Sequence, residues 1–147
     1  MTMPNGTLIG FDFGERRIGV AIGGTQTSFA SPLRTIEAAA NEARFREIDK
    51  LVREWQPAAF VVGRPKHADG SEHAVAKLAE KFARRLRAKY QVPVLMVDET
   101  LSSVRAAEII RELRAAARPT GDVDAVAATV ILQAYLDDPD ASDHAPS

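Results

Sequence analysis

Three carboxylates stand where strands are predicted to end or a helix to begin. Asp12 interrupts the apolar run 8–13, Glu99 closely follows the apolar run 92–97, and Asp124 lies in the first turn of a predicted last helix. Burying an unpaired carboxylate in such a run costs several kcal/mol. Metal-assisted hydrolysis of a phosphodiester needs several carboxylates in one pocket. Asp12, Glu99 and Asp124 are therefore candidate metal ligands.

Each of these carboxylates also has a simpler interpretation. Asp12 would accept hydrogen bonds from the amides of a tight turn at Gly14. Asp122 is a natural helix N-cap, and Asp124 would offset the positive end of the helix dipole, as acidic residues commonly do. Taken separately, Asp122 and Asp124 favour the simpler interpretation, whereas the full set with Asp12 and Glu99 favours a metal site.

Apolar periodicity predicts the element order β-β-β-α-β-α-β-α-α around these residues. Short turns make the first three strands an antiparallel meander, in which Pro32 indicates an edge position or a bulge. Helices before the fourth and fifth strands make those strands parallel to the first through right-handed crossovers. The fold class predicted is a three-layer α/β domain with a five-stranded mixed sheet and helices on both faces. The strands are 8–13, 18–23, 29–36, 60–63 and 92–97, and the helices begin at Asn41, Ser71, Ser102 or Ser103, and Asp122.

This topology brings polar residues to one edge of the sheet. Ligands of such folds gather at the carboxyl ends of the parallel strands, where Asp12, Gly63 and Glu99 fall. We expect Asp12 and Glu99 on neighbouring strands. Asp124 joins them if the last helix turns Ala128 toward the sheet, because residues four apart share a helix face.

Length and composition limit the alternatives. The 147 residues fit one domain, predicted as residues 1–137 and followed by a disordered acidic tail, residues 138–147. A net charge of −1 argues against a protein that coats nucleic acid through bulk charge. It leaves room for a local basic surface such as Arg84, Arg85, Arg87 and Lys89. The absence of Cys excludes disulfides and thiolate zinc sites. No signal sequence or membrane span is evident, so a cytoplasmic location without membrane association is expected.

Three arginines are candidates for substrate binding. Arg16 and Arg17 follow the first strand, where phosphate contact and simple exposure are equally good interpretations. Arg64 is a further candidate for substrate contact. The three histidines have no metal-site spacing, and His67 is more simply a loop residue than a proton carrier.

The motifs together resemble the YqgF (RuvX) family of small ribonuclease H-like proteins. Members are regarded as Holliday junction resolvases and as nucleases that process the end of precursor small-subunit ribosomal RNA. The resemblance implies that Asp12, Glu99 and Asp124 are catalytic and bind Mg²⁺ or Mn²⁺. It rests on Asp12-Phe-Gly14, Arg17-Ile-Gly-Val-Ala21, Val62-Gly-x-Pro65, Asp69-Gly-Ser-Glu72, Asp98-Glu-x-Leu-Ser102, Val123-Asp-Ala125 and Ala128-x-Val-Ile-Leu-Gln133.

The resemblance favours processing of the 5′ end of pre-16S ribosomal RNA in ribosome biogenesis, with ribosomal particles as further partners. Holliday junction resolution in DNA recombination and repair is the alternative, and it requires a homodimer rather than a monomer. A catalytically weak ribosome-assembly factor is the second alternative. It is favoured by Thr100, where the family usually has an Arg that binds phosphate bidentately. An ATP-binding module of the actin or sugar-kinase type shares the Asp-x-Gly hairpin but needs two domains.

Overall fold

A six-stranded mixed sheet runs through the centre of the computed structural model, which describes residues 5–64, 73–98 and 123–144. The elements, in chain order, are β1 (Thr7–Asp12), β2 (Arg17–Gly24), β3 (Phe29–Glu37), α1 (Asn41–Trp55), β4 (Ala59–Arg64), α2 (His73–Tyr90), β5 (Val94–Asp98), α3 (Val123–Asp137), a 3-10 helix (Pro139–Ala141) and β6 (Asp143–His144).

The sheet order is β3-β2-β1-β4-β5-β6. The pairs β1–β2 and β2–β3 are antiparallel, whereas β1–β4 and β4–β5 are parallel, which confirms the predicted meander and the predicted direction of the fourth and fifth strands. One expectation was wrong. The strand that leads to Glu99 does not neighbour β1, because β4 lies between β1 and β5.

The two faces of the sheet are covered by different helices. Side chains alternate along each strand, so Ile9 and Phe11 face one core while Leu8 faces the other. The first core also contains buried residues of α1 and α2, and the second contains the buried face of α3. The predicted helix face of α3 is confirmed, since Ala128 is buried in the second core.

The edge strand β3 contains the predicted irregularity. Val20 pairs with Arg34 and Ala21 pairs with Pro32, so Leu33 is an extra residue in β3. Proline has no amide hydrogen to donate to the ladder. Because the β-bulge already interrupts the ladder at this point, Pro32 costs the sheet no additional hydrogen bond.

Two details differ from the sequence prediction. Asn41 is the first helical residue of α1 rather than its N-cap, which is Ala40, and no side chain caps this helix. Residues 138–147 were predicted as disordered, but the 3-10 helix and β6 occupy part of that range, and β6 pairs antiparallel with β5. The predicted N-cap Ser71 and the helix predicted to begin at Ser102 or Ser103 lie outside the described residues. None of the described helices has the length and apolar character needed to cross a membrane.

Candidate carboxylate site

Glycines on β1 and β2 let α3 lie unusually close to the sheet. A Cβ atom on Gly19 would lie only 1.9 Å from the backbone oxygen of Asp124. A Cβ on Gly10 would lie 2.8 Å from the Cβ of Leu132. Since real Cβ atoms do not approach other heavy atoms so closely, glycine is required at Gly19 for the observed helix position. The first turn of α3 therefore rests on the sheet backbone.

This close packing brings two of the three predicted carboxylate residues to one place. Gly19 is the cross-strand partner of Asp12 in the β1–β2 pair. Asp12 alternates with Phe11, which faces the α1–α2 core, so Asp12 lies on the α3 face together with Gly19. Asp124, in the first turn of α3, thus lies directly over the residue that pairs with Asp12. Both acidic residues are partly buried.

A guanidinium lies beside the carboxylate of Asp124. Arg17 Nε is 3.9 Å from Asp124 Oδ2, with 62% and 36% of the respective side chains exposed. An ion pair this exposed contributes little to stability, about 0–1 kcal/mol. Its position is more informative than its energy, because Arg17 lies on the same sheet face, two residues before Gly19. Arg16 is exposed in the preceding turn.

The turn between Asp12 and Arg17 is fixed by a buried arginine that sequence reasoning missed. Arg44, in α1, is 3% exposed and donates hydrogen bonds to three backbone carbonyls. Nε donates to Ala38 (2.5 Å), and Nη2 donates to Gly14 (2.7 Å) and to Glu15. The guanidinium carbon also lies 5.3 Å from the centre of the Phe13 ring, a cation–π distance.

Burial lowers the pKa of Arg44 from its usual value, although the charge of Glu15 opposes that change. The signal in the sequence was weak. Arg44 precedes Phe45 and lies four residues before Ile48, at the edge of the apolar face of the helix. An arginine there is usually assumed to be solvated.

Arg64 lies apart from the two aspartates. It lies two residues after Val62, which belongs to the α1–α2 core, so Arg64 shares that sheet face and lies opposite Asp12. Its Nη1 donates a hydrogen bond to Asp98 Oδ1 (3.3 Å), and its Nε is 3.5 Å from Glu80 Oε1. These contacts join the ends of β4 and β5 to α2. The structure therefore does not bring Arg64 together with Arg16 and Arg17.

The remaining predicted residues are placed only in part. Glu99, Thr100 and His67 lie outside the described residues. Within the described ranges, no group of three or more His, Asp or Glu side chains could hold a metal ion. Asp12 and Asp124 nevertheless supply hard oxygen donors of the kind that Mg²⁺ and Mn²⁺ prefer. Gly63, which lies on the same sheet face in the neighbouring strand β4, presents no side chain beside them.

The chain matches a known protein family and named relatives over most of its length. Residues 6–138 match the model of the RuvX family, described as a Holliday junction resolvase. A protein of Methylobacillus flagellatus named "Putative pre-16S rRNA nuclease" is 49% identical, covering 90% of this chain and 91% of its own length. A protein of Neisseria gonorrhoeae with the same name is 46% identical, covering 92% and 90%.

Solved structures share the fold at low identity. Thermus thermophilus RuvC, in complex with a Holliday junction substrate, superposes with a TM-score of 0.62 at 16% identity, covering 94% of this chain and 98% of that chain. The yeast mitochondrial Holliday junction resolvase Ydc2 gives a TM-score of 0.56 at 10% identity, covering 92% and 80%. The ribonuclease H-like fold predicted from sequence is thereby confirmed. With nearly all of its length matched by the family and by its relatives, the chain belongs to the RuvX family.

Proposed function

We propose that this protein is a divalent-metal-dependent endonuclease that hydrolyses phosphodiester bonds in structured nucleic acid. The observation that carries the proposal is the contact of the Asp124 backbone with Gly19, the cross-strand partner of Asp12. That contact fixes two carboxylate residues at the carboxyl end of β1, where ligands of such sheets gather. Glu99, which follows the last residue of β5, is proposed as the third carboxylate.

In this proposal Asp12, Asp124 and Glu99 hold Mg²⁺ or Mn²⁺. Such ions lower the pKa of bound water and stabilise charge on the leaving oxygen. Water attacks the phosphorus and gives up a proton, the bond to the leaving ribose oxygen breaks, and that oxygen takes up a proton, so the net change is the addition of one water across the bond. Arg17, beside Asp124, contacts a nonbridging phosphate oxygen and thereby orients the scissile group. Arg16, exposed in the adjacent turn, contacts the flanking phosphate.

The substrate we propose is the 5′ end of precursor 16S ribosomal RNA, processed in the cytoplasm on ribosomal particles. The names of the relatives at 46–49% identity support this choice. Resolution of Holliday junctions is the second candidate, supported by the description of the family model. Junction resolution would require a homodimer so that two symmetry-related strands are cut.

A cleavage assay with matched variants tests the proposal. Purified wild type is incubated with Mg²⁺ and either a ribosomal RNA precursor or a four-way DNA junction. We expect Asp12→Asn and Asp124→Asn to lose cleavage, while Asp138→Asn, an exposed residue just beyond α3, retains it. Equal residual cleavage by the wild type and both site variants would refute the nuclease. Binding to RNA without metal-dependent cleavage would instead identify a ribosome-assembly factor.

A further inference from the structure

Helix α2 concentrates positive charge on the face of the sheet opposite the carboxylates. It has six Lys or Arg residues and one acidic residue, Glu80, which pairs with Arg64. Helix α3, by contrast, has two Asp and no basic residue. A chain of net charge −1 thus presents a local cationic surface. The exposed cations of α2 are Lys77, Lys81, Arg84, Arg85, Arg87 and Lys89.

An open cleft of about 730 Å³ lies between α1 and α2, and its cations come from both helices. Arg46 of α1 and Arg85 and Lys89 of α2 line it. Within the described part of the chain, Arg46 and Arg85 have no ion-pair partner. Both are exposed, so their guanidinium groups are available to a ligand.

The rest of the cleft is compatible with an anionic ligand. Of its two carboxylates, Glu42 is exposed in the first turn of α1. Asp49 is already engaged, because it accepts a hydrogen bond from Tyr90 Oη and lies 3.5 Å from Lys89 Nζ. Phe45 adds an apolar surface, with Lys89 Nζ 5.2 Å from its ring centre.

The start of α1 contacts both the cleft and the turn that follows Asp12. Asn41, the first residue of α1, lines the cleft. Three residues later Arg44 donates hydrogen bonds to the turn that follows Asp12. The same turn carries Arg16 and Arg17, both exposed. The start of α1 therefore joins the cleft to the turn that follows Asp12 and carries two exposed cations.

We propose that the α1–α2 cleft binds the phosphate backbone of the RNA strand whose cleavage point lies at Asp12 and Asp124. The inference rests on the proposed function and adds a second contact region to it. Charge complementarity selects the occupant, since guanidinium groups bind phosphate bidentately and phosphate contacts position a nucleic acid without reading its sequence. Arg46 and Arg85 are the phosphate ligands.

Binding is measured without divalent metal, so that it does not depend on cleavage. The probe is a precursor RNA that extends well beyond the mature 5′ end of 16S ribosomal RNA. Its affinity is titrated against salt for the wild type, for Arg46→Gln/Arg85→Gln, and for the control Arg34→Gln/Lys50→Gln. The control removes the same charge from exposed positions outside the cleft. We expect the slope of log affinity against log salt concentration to be smaller in the cleft variant by about one per arginine. Each phosphate contact that is lost means that fewer counterions are released when the RNA binds.

Cleavage kinetics separate this inference from the nuclease itself. With Mg²⁺, the cleft variant should raise KM for the long precursor and leave kcat unchanged. A short oligonucleotide that contains the same cleavage point but does not reach the cleft should be cleaved with the same KM and kcat by the cleft variant and by the wild type. If the cleft variant and the control variant have equal salt slopes and equal KM values, the inference is overturned. If the wild type cleaves neither RNA but the cleft variant still loses affinity, the nuclease fails and the binding surface stands.

Discussion

Substituting Gly19 by alanine should damage both the fold and the proposed site. The added Cβ would lie 1.9 Å from the Asp124 oxygen and 2.3 Å from its carbonyl carbon. The first distance is about 1.5 Å short of ordinary van der Waals contact, and the obstacle is backbone rather than a side chain that can rotate. Overpacking of this kind costs about 1–3 kcal/mol, and we expect the upper end. For a domain of this size, about 3 kcal/mol lowers Tm by roughly 6–12 °C.

The matched control is Gly24→Ala in the same strand. Its nearest contact would be 3.7 Å, and neither Gly19 nor Gly24 has a positive φ, so alanine is compatible with both backbones. To admit the methyl group, α3 must shift by more than 1 Å. Misplacement on that scale costs about a hundredfold in rate for a well-aligned site.

Thermal unfolding and cleavage of precursor RNA below the Tm of every variant measure the two effects. We expect Gly24→Ala to match the wild type, and Gly19→Ala to lose stability and, while still folded, about a hundredfold in kcat. If Gly19→Ala has the Tm and kcat of Gly24→Ala, the packing of α3 on β2 does not position Asp124.

Two further predictions concern the helix layer of α1 and α2. Arg44→Met removes a buried guanidinium that bonds three carbonyls, so urea denaturation should show a loss of about 3 kcal/mol, against a negligible change for exposed Arg34→Met. An equal change in both would refute the role of Arg44 in the turn. The hydrogen bond from Tyr90, together with the charge of Lys89, lowers the pKa of Asp49. The Tyr90–Asp49 hydrogen bond therefore stabilises the fold fully above the unfolded-state pKa of about 4, and its contribution to stability decreases as the pH falls below that value. The difference in unfolding free energy between wild type and Tyr90→Phe should therefore shrink from pH ~7 to pH ~3, and a difference independent of pH would contradict the assignment.

The fold was largely predictable because its signals are local. Runs of apolar residues separated by short turns determine the meander. The three- and four-residue spacing of Ala128, Ile131 and Leu132 determines which face of α3 is buried. Pro32 indicated the bulge of β3, since proline lacks the amide that a regular ladder needs. These inferences use only the periodicity of a strand or helix and the chemistry of a turn.

The remaining features depend on contacts between distant parts of the chain. Sequence periodicity does not determine the order of parallel strands, so the insertion of β4 between β1 and β5 was missed. The burial of Arg44 depends on three carbonyls in other segments, and β6 depends on an available edge at β5. Arg64 shows a different limitation. Its pairing with Asp98 follows from the register of β4 and β5, which no local pattern reveals.

Metal binding by the carboxylates themselves is the most direct test of the proposed site. Mn²⁺ titration of the full chain, followed by electron paramagnetic resonance, measures binding without substrate or turnover. The proposed metal site predicts that the wild type and Asp138→Asn bind Mn²⁺ alike, and that Asp12→Asn and Asp124→Asn each weaken binding at least tenfold, about 1.4 kcal/mol or more. Mn²⁺ affinity unchanged in both site variants, with the fold intact by circular dichroism, would contradict it.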